Sequence, residues 1–135
     1  MAIRNNVYRG LRTKDGGLVT RDGVILSPER SLKKRNHSPT GFNWGYIGSG
    51  PSQLALALLL DAATPAFESV ASTFYHDFAM DLVSRWRDEW EITRLEIYAW
   101  LAAAIWLRSN LKIEPAAEPF DGVDLTTPLP EVDPE

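Results

Sequence analysis

The sequence predicts an α+β domain, a small antiparallel sheet packed on three helices with an apolar helix at the centre. Three observations predict it. Asp22-Gly23 separates two β-prone runs, and a two-residue turn of that kind needs positive φ, so it marks a hairpin. The run LALALLL at 54–60 leaves no polar face, and a helix apolar all round is buried all round. Thr93-Arg94-Leu95-Glu96 is a capping box, the clearest helix start in the chain.

Val7, Tyr8 and Arg9 read as the first strand. Residues 18–21 and 24–26 flank the Asp22-Gly23 turn. Ser27, Pro28 and Glu29 suit a short helix, with Ser27 as cap and Pro28 in the first helical position. Residues 42–46 alternate apolar with small or polar side chains and are expected to form a further strand. Gly45 within it marks a bulge or close packing.

The central helix starts at Pro51, capped by Ser49 or Gly50. Thr64-Pro65 starts a second helix. In it Phe67, Val70, Ala71, Phe74, Phe78, Leu82, Trp86 and Trp90 recur at helical spacing. Asp77, Asp81, Arg85 and Asp88 line its other side, with Asp81 and Arg85 an i,i+4 pair. The third helix follows the capping box, stapled by Ile92 and Ile97. It runs through Trp100, Leu101, Ala104 and Ile105 to about Arg108. Residues 1–114 thus form one domain. Residues 115–135, with five prolines and no basic side chain, read as a flexible acidic tail whose Phe120, Val123 and Leu125 could dock in a groove.

Composition narrows the function. A chain of 135 residues, 44% hydrophobic and 24% charged, is soluble and holds one core. Without cysteine it has neither disulfides nor thiolate metal sites, and two histidines make no multi-histidine zinc site. No metal or cofactor is expected. The N-terminus lacks a signal-peptide core, and no apolar run reaches the about 20 residues needed to span a bilayer. The expected location is therefore the cytoplasm. Charge is uneven. Residues 1–40 carry nine Lys/Arg against three acids, and the remaining 95 carry five against fifteen. A basic half invites a nucleic-acid reading through Arg30, Lys33, Lys34 and Arg35. Those four groups neutralise few phosphates, so the same run reads better as a protein-partner surface.

Gly41, Gly45, Gly48 and Gly50 crowd the approach to the apolar helix. Free N–H groups at a helix start can hold phosphate or carboxylate. A ligand there would meet His37, Trp44, Tyr46, Gly48, Ser49, Gly50 and Gln53. The segment is neither a P-loop nor G-x-G-x-x-G. The alternative is a tight turn with Trp44 and Tyr46 packed over the glycines, Gly48 or Gly50 adopting positive φ. His37 with Ser38 or Ser49 and Asp61 is a conceivable nucleophilic set, but no nucleophile motif accompanies it. The other reading has His37 bonding backbone in its loop. His76, beside Asp77, reads as solvated. Asp61 ends the apolar helix, where the dipole disfavours an acid, and calls for a partner such as an arginine from the sheet. Trp106 lies off the main stripe of the last helix. With Tyr98 and Ala102 it outlines a second apolar face, suited to a partner or a second copy.

The stretch His37-Ser38-Pro39-x-Gly41-Phe42-x-Trp44-Gly45-Tyr46-x-Gly48-Ser49-Gly50-Pro51-x-Gln53-Leu54-Ala55 resembles a family of small proteins of unknown function from bacteria, phages and plasmids. The later spacing of Phe74, Phe78, Trp90, Ile92, Ile97 and Trp100-Leu101 is similar to it as well. The resemblance covers most of 7–107, and Ile47 stands where a glycine is expected. It implies context rather than chemistry, and no catalytic residue follows from it. The expected function is that of a non-enzymatic protein-binding accessory of a mobile genetic element, an inhibitor of a host defence complex. The alternative is a small-ligand or phosphate-binding domain, or an enzyme, built on the glycine turn and His37.

Overall fold

The computed structural model describes residues 4–14, 16–39, 41–63 and 67–111. The Thr64-Pro65 helix start and the acidic tail lie outside the described residues. The architecture is α+β, a four-stranded antiparallel sheet covered on one face by helices.

Strand β1, Val7–Thr13, pairs with β2, Gly16–Arg21, and β2 with β3, Val24–Ile25. The β2–β3 turn is the expected one. Asp22 (φ 50°) and Gly23 (φ 83°) both adopt the left-handed region that matches strand twist. Asp22 also accepts the Val7 N–H at 2.8 Å and the Asn6 side-chain amide at 2.5 Å. These two bonds, Val7 first, hold its carboxyl below the ordinary range.

The short helix α1, Glu29–Lys34, follows. It starts one residue later than the sequence suggests, with Ser27 Oγ accepting the Glu29 N–H at 3.2 Å. The central helix α2 is Ser49–Ala62, α3 is Glu68–Asp81, and one 3₁₀ turn occupies Val83–Arg85. Strand β4, Glu89–Thr93, pairs with β1, and helix α4 is Arg94–Leu111. The sheet order is β3-β2-β1-β4.

Four expectations about elements are corrected. Residues 42–46 are loop, not strand. Gly41 and Gly45 sit at φ 119° and 88°, and the Trp44 N–H is taken by Asn43 Oδ1 at 2.9 Å, so the backbone curls instead of extending. The second helix stops at Asp81. Trp86 lies past its end, and Trp90 belongs to β4, where Glu89, Trp90, Glu91 and Ile92 alternate exposed and buried. With the helix ended, Asp81 does not pair with Arg85 and instead accepts a bond from Trp100 Nε1 at 2.7 Å. Neither Ser49 nor Gly50 caps α2. Gly48 holds that position without a side-chain bond.

The capping box is as read. The Thr93 N–H reaches Glu96 Oε1 at 3.1 Å, and the Glu96 N–H reaches Thr93 Oγ1 at 3.2 Å. Its staple residues, Ile92 and Ile97, are both buried.

The core is one contiguous cluster with α2 in its middle. Leu54, Leu56, Leu58, Leu59 and Leu60 are each at most 1% exposed, as a helix without a polar face requires. Each contributes about 1.5–3 kcal/mol by burial. On the inner sheet face Tyr8, Val19, Trp90 and Ile92 meet this helical layer. Two glycines there make room for indoles. A Cβ on Gly10 would lie 2.1 Å from the Trp90 ring, and one on Gly17 would lie 2.4 Å from Trp44. Among the described residues no element covers the outer sheet face, and Leu11, Leu18 and Ile25 are exposed on it. Among the described residues no helix is long and apolar enough to cross a membrane.

Candidate functional site

The glycine turn is held from both sides. Below it, β1 presents Arg12, whose guanidinium donates to Asn43 Oδ1 at 2.9 Å, the Trp44 carbonyl at 3.0 Å and Asp88 Oδ1 at 3.1 Å. It also lies 4.8 Å above the Trp44 ring. Trp44 is fully buried, donates Nε1 to the Arg87 carbonyl at 2.6 Å, and meets Trp90 edge-on. The Gly45 N–H reaches the Val83 carbonyl at 3.0 Å. Arg12 thus ties three segments together, a role its place in a strand did not announce.

Above the turn, Tyr46 is half-exposed and its ring covers the glycines. A Cβ on Gly48 would lie 2.8 Å from Tyr46 Cε2. One on Gly50 would lie 2.6 Å from Asn43 Cβ and 2.9 Å from the Tyr46 hydroxyl. Gly48 has extended backbone (φ 171°) and Gly50 lies inside α2, so neither adopts the expected positive φ. Close approach, not backbone handedness, selects glycine at both positions. Gly50→Ala is expected to lower stability by about 1–3 kcal/mol, because Asn43 is backbone-anchored. Gly48→Ala should cost less, since the Tyr46 ring can swing outward. Thermal melts compare them, and Tyr46→Ala should restore Gly48→Ala but not Gly50→Ala.

Gln53, one turn into α2, is fully buried and bonded through both its amide oxygen and its amide nitrogen. Its Oε1 accepts the N–H groups of His37 at 2.7 Å and Ser38 at 3.1 Å, and its Nε2 donates to Ser31 Oγ at 2.9 Å. Ser31 in turn donates to the Pro28 carbonyl at 2.8 Å. One amide therefore fastens both α1 and the loop after it to the central helix. His37 is half-buried, with Nε2 2.7 Å from the Tyr75 hydroxyl. The His76 ring packs 4.0 Å from Tyr75 and 5.4 Å, edge-on, from His37. His76 is 5% exposed, which corrects its reading as a solvated side chain; its turn of α3 faces the loop rather than water. His37 likewise uses its ring on a side chain of α3.

Asp61 lies at the far end of α2. It accepts the Tyr8 hydroxyl and the Arg21 guanidinium, each at 2.7 Å, so the arginine from the sheet is present. Arg94 donates to the Asp61 carbonyl at 3.1 Å, and the Tyr98 hydroxyl to the Ala62 carbonyl at 2.6 Å. Two side chains thereby serve carbonyls that the helix end leaves open. Asp61 stands two turns, about 12 Å, along the helix from Gln53, so it does not assemble with His37 into a nucleophilic set. Among the described residues no three His, Asp or Glu side chains are arranged to hold a metal ion.

Burial first, then the bond to Asp61, pushes the Tyr8 hydroxyl well above the ordinary tyrosine value, and Asp61 raises Arg21 as well. A raised folded value means the contribution is complete below about pH 10 and is lost as pH rises through the folded value. Tyr8→Phe is accordingly expected to be less stable than wild type by a constant margin below about pH 10, with the gap narrowing above it. Thermal melts across alkaline pH read this.

The basic run is partly spent within the molecule. Glu68 on α3 lies 3.3 Å from Arg30 and 3.7 Å from Lys34. Lys33 and Arg35 are exposed on α1 and just past its end. Trp106 stands on the outer side of α4, 58% exposed, far along the chain from the basic run. Sequence reasoning named neither Arg12 nor Tyr75, whose partners lie more than thirty positions away.

The model of a family of unknown function (DUF6166) matches residues 8–103, which take in all four strands and most of the helical layer. No curated protein matches the chain, and no solved structure does.

Proposed function

We propose, for a chain that belongs to the DUF6166 family of unknown function, a role without catalysis: a protein-binding accessory of a mobile genetic element, acting as an inhibitor of a host defence complex. The observation that carries the binding reading is the sheet's uncovered outer face. Leu11 and Leu18 oppose each other across β1 and β2, and Ile25 lies diagonally beside them on β3. All three are exposed, at 43%, 38% and 71%. Leu11 and Leu18 line a shallow concavity of about 630 Å³, edged by the Arg9–Glu91 ion pair at 2.7 Å. An apolar strip with a polar rim is the usual make-up of a protein interface. The mobile-element and defence setting rests on the resemblance carried by residues 37–55.

The ligand reading has less to work with. Tyr46 and Asn43 occupy the space above Gly48 and Gly50, and the Gln53 amide is committed on both its atoms. Affinity capture from host extract with wild type, Leu18→Lys and Ile25→Lys tests the proposal. The expected result is one specific protein complex held by wild type and lost by both variants, whose melting is unchanged. Equal capture by all three would sink the outer-face reading. A rise in melting temperature with added inorganic phosphate would move the assignment to the glycine turn.

A further inference from the structure

Helix α4 is built unlike the rest of the helical layer. From Ile97 to Leu107 it carries no charged residue, yet only Ile97 and Leu101 are buried, and every residue from Ile105 to Leu111 is exposed. A helix so apolar is ordinarily covered on all sides. Its inward side faces the core through Ile97, Leu101 and Ala104. On the opposite side Leu95, Ala99, Ala102 and Trp106 recur at steps of four, three and four, and all four are exposed, Leu95 at 55% and Trp106 at 58%. That spacing is the seam of a two-helix coiled pair.

The geometry points to a second copy of this chain as the occupant, its α4 lying antiparallel on this one. The stripe is self-complementary only in that sense. A two-fold axis between Ala99 and Ala102 sets each alanine against the other, so the backbones approach closely at the centre. It also sets Leu95 against Trp106 at both ends, filling the space that the alanines leave. An isologous contact needs such a palindromic face. Parallel pairing would instead stack Trp106 on Trp106 at one end and Leu95 on Leu95 at the other, so the two ends would hold the helices at unequal distances. The four stripe residues carry no charge, so nothing on them steers a charged partner, whereas an identical face matches without ionic pairing. With the axis between Ala99 and Ala102, residues 94–107 of the two helices overlap, a length of about 21 Å against a width of about 10 Å. Two such faces bury less than about 1,000 Å² in total, the size of a weak, transient contact. The pair is therefore reversible and concentration-dependent. It uses a different face from the outer sheet, so one dimer would present two copies of that surface.

Sedimentation velocity of the full chain over a concentration series tests this. The expected result is a mass that doubles with concentration. Trp106→Glu and Ala102→Glu should each weaken association by about tenfold or more, with melting of the dilute protein unchanged because both sites are exposed. Leu18→Lys should leave association intact, which keeps this result separate from the partner reading of the sheet face. The absence of cysteine makes orientation readable with introduced thiols. Copies carrying Ala99→Cys mixed with copies carrying Ala102→Cys should form a mixed disulfide. Leu95→Cys copies, held about 16 Å apart by the antiparallel register, should not cross-link to each other. A monomer at every concentration, a dimer indifferent to Trp106→Glu and Ala102→Glu, or ready Leu95→Cys self-cross-linking overturns the proposal.

Discussion

Leu58→Asp, and equally Leu56→Asp, is expected to give a chain with no cooperative thermal transition. Both leucines lie on α2 and are at most 1% exposed, with the sheet on one side and helices on the others. No described basic group reaches this stretch of the core. Arg21, Arg94 and Arg12 are committed at the two ends of the helix. An unpaired carboxylate there costs several kcal/mol. The lost leucine removes about 2–5 kcal/mol more. Together these match the whole stability of a domain, about 5–15 kcal/mol. Circular dichroism melts at neutral pH decide it. A transition within a few degrees of wild type in either variant would show that α2 is not the centre of the core.

Gln53→Leu is the second large effect. The substitution keeps the volume and removes the amide, leaving the His37 and Ser38 N–H groups and Ser31 Oγ without their acceptor or donor. Each buried group left unsatisfied costs about 1–3 kcal/mol, so a loss of about 3 kcal/mol or more is expected. Amide exchange should localise the damage, with protection falling across α1 and residues 35–38 while the sheet keeps its own. Unchanged stability together with lost binding of an added small anion would instead make Gln53 a ligand-contacting residue.

What the sequence made legible was local. The Asp22-Gly23 turn, the Thr93–Glu96 box and the unbroken apolar run of α2 each depend on neighbours within a few residues. Each formed as its own chemistry dictates. The partner for Asp61 could be inferred because an acid at a helix end is anomalous by itself. Trp90 was misplaced because the spacing Phe78, Leu82, Trp86, Trp90 satisfies a helix as well as Glu89–Ile92 satisfies a strand. Only pairing with β1 chooses between them. His76 and Gln53 were obscure for a similar reason. His76 packs on His37, and Gln53 bonds Ser31 and the loop at 37–38, all of them remote in sequence. Positive φ at Gly45 rather than Gly48 followed from which carbonyl Gly45 had to reach.

The sheet order β3-β2-β1-β4 also sets a timetable for acquiring the fold. β1, β2 and β3 are consecutive, so their meander closes short loops and can assemble within microseconds. β4 reaches its place beside β1 only after the chain between them has been gathered in. Arg12 and Asp88 stand 76 residues apart, and Asn5 and Leu95 stand 90. Pairings of that range slow a chain and come late on its route. Until they form, β1 is an open edge, with Gly10 on it and Gly17 on β2 uncovered by Trp90 and Trp44. The docking of β4 therefore acts as the latch of the process, and the capping box that follows it locks the last helix in the same stroke.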